Sequence, residues 1–82
     1  MMATSRDEIS RWFDEGIEKG ATHMLVLCDT FDWTDYPVFV NSETDARAKV
    51  ANPGSMQKTM EVYCLAAPKD EQLSARRCFR YS

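Results

Sequence analysis

Apolar and polar positions follow three different rhythms along this chain, and each rhythm predicts an element. Ser5-Arg6-Asp7-Glu8 has the S-x-x-E form of a capping box, in which the serine oxygen and the glutamate satisfy unpaired backbone donors at a helix start. Ile9, Trp12, Phe13 and Ile17 then recur at helical spacing, with Asp14, Glu15, Glu18 and Lys19 on the other side, until Gly20 offers a left-handed stop. Gly16, beside the stripe, permits close backbone approach. "THMLVLC" is apolar on both strand faces from Met24 onward, which predicts a strand covered on both sides or central in a sheet. "PVFV" reads as a second strand, with Pro37 marking its start or an edge because proline donates no ladder hydrogen bond.

Eight residues, Asp29 to Tyr36, separate these runs, and they predict a long loop joining an antiparallel pair. Ser42-Glu43-Thr44-Asp45 starts a short helix through Ala46, Ala48 and Val50, and "NPG" at 52–54 ends it. "MQKTMEVYCLA" alternates as a third strand, with Met60, Val62 and Cys64 on one face and Thr59, Glu61, Tyr63 and Leu65 on the other. "KDEQLSARR" after Pro68 predicts a final helical turn or two. The order is helix, strand, strand, helix, strand, short helix. The fold class is α+β, a single small domain over residues 1–82 whose helices pack on a three-stranded, mostly antiparallel sheet. No internal repeat, low-complexity tract or linker interrupts it.

Composition narrows the class. With 82 residues, 44% hydrophobic and 28% charged, the chain has room for one small core and is not a disordered tail. The longest apolar run, Met24 to Cys28, is far short of a membrane span, and the N-terminus lacks a basic-then-apolar signal, so a cytoplasmic product with no membrane association is expected. Three cysteines cannot all pair within one chain, so Cys28, Cys64 and Cys78 read as reduced thiols. Their spacing and the single histidine, His23, do not make a zinc site.

Charge is divided by position. Residues 1–45 hold ten acids against three bases, a balance of −7, and residues 46–82 hold seven bases against three acids, a balance of +4. Kept on separate faces, these halves would suit docking to a charged partner or head-to-tail self-association; interleaved, they would neutralise each other.

Candidate chemistry centres on "CDTFDWTDYP". An apolar strand running into Asp29 invites comparison with haloacid dehalogenase-type phosphohydrolases, but the second aspartate, Asp32, comes three residues on rather than two, and the chain is too short for that fold. Asp29, Asp32 and Asp35 could face a cation, yet they lack the calcium-loop pattern, and aspartates in turns bond their own backbone. His23 and Cys28 fall on opposite faces of a strand, which removes a Cys-His pair. Three glycines make no phosphate loop. Nothing calls for a cofactor, a metal or a catalytic residue.

Aromatic residues point elsewhere. Phe31, Trp33 and Tyr36 sit among charged neighbours and are of the type that anchors interfaces or stacks on flat ligands, the alternative being that one or two fold back onto the core. Trp12 and Phe13 belong to the helix stripe and the core. Arg76, Arg77 and Arg80, interleaved with Phe79 and Tyr81, form a possible basic contact, but a sequence pI near 5.0 argues against direct nucleic-acid binding.

"GATHMLVLCDTFDWTDYPVFV", the tryptophan of the first helix and "MQKTMEVYCL" together resemble a family of small, largely uncharacterised proteins of bacteria and their phages, whose core reads GATHM-x-V-x-CDTFD-x-x-DYPV. The resemblance spans about Trp12 to Tyr81. It implies a compact cytosolic product, often phage-borne, and carries over no catalytic residue.

The reading is therefore a non-enzymatic binding or regulatory protein that docks an acidic and aromatic loop, Asp29, Phe31, Asp32, Trp33, Asp35 and Tyr36, onto a host protein or complex, including a defence complex it would inhibit. One alternative is a homo-oligomer that sequesters a small nucleotide ligand, holding phosphate with Arg76, Arg77 or Arg80. A weaker one is a small metal-dependent hydrolase.

Overall fold

The computed structural model describes residues 5–82, and the expectation about an N-terminal signal bears partly on residues outside that range. Six elements follow in the anticipated order: α1 (Arg6–Glu18), β1 (His23–Asp29), β2 (Thr34–Val40), α2 (Glu43–Ala51), β3 (Gln57–Cys64) and α3 (Lys69–Leu73). All strand pairs are antiparallel and the sheet order is β2-β1-β3. Among the described residues no helix is long and apolar enough to cross a membrane.

α1 begins where Ser5 Oγ accepts the Glu8 N–H at 3.2 Å. It ends in a Schellman motif: Gly20, at φ 76°, donates to the Ile17 carbonyl, and Ala21 donates to that of Gly16. Ile9, Trp12 and Phe13 face the sheet, while Ile17 does not join them and is 52% exposed. In the last turn the sheet-facing place is taken by Gly16, which shares one helix face with Ile9, Trp12 and Phe13, so Ile17 is left at its margin. Gly16 lies against the sheet so closely that a Cβ there would come within 2.7 Å of Leu65 and 2.9 Å of Phe39.

β1 is central and buried from His23 to Cys28, and its alternate side chains feed two cores. Met24 and Val26 join Ile9, Trp12, Phe13, Tyr63, Leu65 and Cys78 beneath α1. Leu25 and Leu27 join Ala46 and Val62 beneath α2, with Tyr36, Val38, Val40, Val50 and Tyr81 packed around them. Each fully buried aliphatic side chain of this kind contributes roughly 1.5–3 kcal/mol, which is why the unbroken apolar run sits in the middle.

β3 departs from simple alternation. Val26 lies opposite Glu61 but Leu27 lies opposite Thr59, so Met60 is the extra residue of a β-bulge. The bulge turns Met60 onto the α1 face, where it packs with that core rather than sharing a face with Val62 and Cys64. The outer edge of β3 is covered by the chain's own C-terminal segment: Val62 donates to the Cys78 carbonyl at 2.8 Å and accepts from Arg80 N–H at 3.0 Å. Gln72, on the short α3, is buried and grips the end of β3 through both the N–H and the carbonyl of Cys64, each at 2.8 Å.

The two charged halves of the sequence are in contact in the fold. Arg6 pairs with Glu61 and Lys69 with Asp14, each linking one half to the other.

Candidate interaction site at the sheet end

The connection between β1 and β2 is shorter than the eight-residue loop the sequence suggested. The ladder runs out to Asp29 opposite Thr34, leaving a turn of Thr30, Phe31, Asp32 and Trp33. Pro37 lies within β2, an edge strand, and not at its start. Strand pairing extended to these positions because each hydrogen-bonded rung satisfies backbone groups that a loop would leave to water.

The turn is held by its own aspartates. Asp29 Oδ1 accepts the Phe31 N–H at 2.9 Å, Asp32 Oδ1 accepts the Thr34 N–H at 3.1 Å, and the Asp29 carbonyl accepts the Trp33 N–H at 2.7 Å. These are the local bonds that favour aspartate in turns. A further bond, from Thr30 N–H to the Met56 carbonyl at 2.8 Å, ties the turn to the segment that leads into β3.

The aromatic residues of this stretch divide. Phe31 is 77% exposed and Trp33 is 51% exposed, both at the tip. Tyr36 is a β2 residue that packs on the α2-side core and donates its hydroxyl to Gln57 Oε1. Burial pushes its phenol up, with Asp29 adding to the effect. The alternation of β2 explains the split, since Tyr36 lies opposite Leu27 and must face the same side of the sheet.

The three aspartates also part company. Asp29 and Asp32 stay at the tip, whereas Asp35 lies opposite Cys28 on the α1 face. There it lines an open cleft of about 240 Å³ together with Arg6, Ile9, Met60, Glu61, Arg76 and Arg77. Among the described residues no three His, Cys, Asp or Glu side chains gather into a group able to hold a metal ion.

The cleft floor is a hydrogen-bonded hub that sequence reasoning missed. Glu61 Oε1 accepts from Arg6 at 3.1 Å, from the Tyr63 hydroxyl at 2.7 Å and from the Cys78 N–H at 3.1 Å. Arg6 also reaches the carbonyls of Ala75 and Arg76, so the start of α1 is clamped to the C-terminal segment. Burial, and then Glu61, drives the Tyr63 phenol far up. Only the fold brings these partners together, and no local pattern announces them.

Of the three arginines singled out from the sequence, Arg76 and Arg77 line the cleft, while Arg80 turns away to Glu71 at 2.8 Å and the Ser82 carbonyl. Cys28 lies on the α1 face, and burial with Asp35 nearby pushes its thiol up. His23 is buried on the α2 side, where Nε2 lies 2.7 Å from the Tyr81 carbonyl and Nδ1 lies 2.8 Å from Thr22 Oγ1. Comparison with protein-family models, curated proteins and solved structures yields no match to this chain.

Proposed function

We propose that this chain is a non-enzymatic binding protein that engages another protein with the tip of its β1–β2 hairpin. The observation that carries the reading is the pair of exposed rings, Phe31 and Trp33, on a turn whose backbone is tied down by Asp29 and Asp32. A turn already fixed in one shape loses little conformational freedom on docking, and large rings supply contact area at low entropy cost. Carboxylates beside the rings steer the encounter toward a surface edged by lysine and arginine. The resemblance to phage-borne proteins supports a host protein or complex, including a defence complex, as the partner class.

The nucleotide-sequestering alternative has less support. The cleft that holds Arg76 and Arg77 is smaller than the roughly 300–1,000 Å³ of ordinary ligand pockets, and among the described residues no aromatic ring lines it for a base to stack on. Changing Phe31 and Trp33 to alanine tests the docking reading. The double variant should keep its melting temperature and lose capture of the wild-type partner from host lysate; equal capture by both proteins refutes it.

A further inference from the structure

The apolar side chains exposed at this end of the molecule come from two segments. Among the described residues, two non-glycine residues have positive φ: Trp33 at 61° and Met56 at 58°. Both lie at the same end of the sheet, on either side of β1: Trp33 precedes Thr34 and Met56 precedes Gln57, the two residues opposite Asp29 in the flanking strands, and the Met56 carbonyl accepts the Thr30 N–H. Met56 is 55% exposed, close to the value for Trp33.

Left-handed backbone brings Cβ against the following carbonyl, so glycine is the usual occupant, followed by asparagine and aspartate. The chain uses glycine at Gly20 and Gly54, where it needs such a conformation. At residues 33 and 56 it places a tryptophan and a methionine instead, and gives neither a buried site in return. Left-handed backbone at non-glycine residues is uncommon and is found in tight turns and at binding sites, and here it presents two large apolar side chains to solvent at one end of the sheet.

The surroundings select the partner's chemistry. Asp29 and Asp32 flank the rings, so polyanionic surfaces such as nucleic-acid backbones and acidic lipid headgroups are repelled. Lys58, opposite Cys28, lies farther from the tip in the ladder. Exposed apolar anchors of this kind bind by filling well-packed, desolvated pockets on their partners. We propose that Met56 forms with Phe31 and Trp33 a single two-segment docking surface that seats in an apolar pocket rimmed by lysine and arginine on a partner protein. The inference rests on the docking reading above and extends it to a second loop.

The test starts from the full chain as bait in host lysate, with the captured protein identified, purified and titrated against variants by calorimetry. Met56→Gly should weaken binding by about tenfold or more, the loss of a central apolar anchor, without lowering the melting temperature, since glycine relieves the backbone. Met56→Asn, which also tolerates the left-handed region, should behave in the same way. Ile17→Gln, at an equally exposed apolar residue elsewhere, should bind as the wild type does. Wild-type affinity in both Met56 variants, alongside weak binding by Trp33→Gly, overturns the two-segment surface and leaves the docking reading intact. Wild-type affinity in Trp33→Gly as well, or no captured protein, overturns both. A marked fall in the melting temperature of both Met56 variants assigns Met56 a structural role and also overturns the inference. Co-sedimentation of the wild type with phosphatidylcholine vesicles, lost in Trp33→Gly, would replace the protein partner with a membrane surface.

Discussion

Replacing Gln72 with glutamate changes one atom type at a buried site and should make the stability of this domain steeply dependent on pH. Gln72 is 2% exposed; its Oε1 accepts the Cys64 N–H, and its Nε2 donates to the carbonyls of Cys64 at 2.8 Å, Pro68 at 3.1 Å and Ala67 at 3.3 Å. A carboxylate in that place keeps the first bond but faces three carbonyl oxygens with no proton to offer. It escapes by remaining protonated, which restores a donor toward Cys64. Holding a proton at pH 7 on a group whose unfolded pKa is about 4.3 costs about 3.7 kcal/mol, and this caps the electrostatic penalty.

The sign follows from linkage. The variant's folded-state pKa is raised above its unfolded value, so the penalty is absent below about pH 4.3 and grows by about 1.4 kcal/mol for each pH unit above it. Against a total stability of roughly 5–15 kcal/mol, that is a large fraction. Urea unfolding of wild type and Gln72→Glu in parallel, from about pH 4 to about pH 8, reads the difference directly. A difference that stays flat with pH, or no destabilisation at neutral pH, would show that the Gln72 bridge does not hold β3 as described.

Two further outcomes follow from the other buried groups. The cysteines are all buried, and burial pushes the thiols of Cys28 and Cys78 up, so none should react readily with iodoacetamide in the native protein at neutral pH, and all should label once urea unfolds it; rapid native labelling of Cys28 would contradict its placement. Burial raises the phenols of Tyr63 and Tyr36, with Glu61 adding to the first and Asp29 to the second, so their protonated forms stabilise the fold below the unfolded value near pH 10, and that stability is lost as pH rises above it. An alkaline titration should therefore show tyrosinate absorbance and loss of structure appearing together, less steeply in Tyr63→Phe; complete tyrosine ionisation in a protein that stays folded would refute this.

The sequence alone determined the order of elements and the antiparallel α+β class, because these depend on local signals. Ser5 and Ser42 cap helices, Gly20 stops one, and the unbroken run from Met24 to Cys28 can satisfy itself only between two layers. The aromatic and acidic composition of the hairpin was equally legible, as was the tendency of Asp29 and Asp32 to bond the turn. Tertiary structure decided the rest. How far β1 and β2 pair sets which rings are outside, and that register sends Tyr36 to the core while leaving Phe31 and Trp33 in solvent. A single bulge moved Met60 across the sheet, and partners remote in sequence built the Arg6–Glu61–Tyr63 hub and tied Met56 to the start of the hairpin turn. Such placements depend on strand register and long-range packing, which a local pattern of apolar and polar residues does not encode.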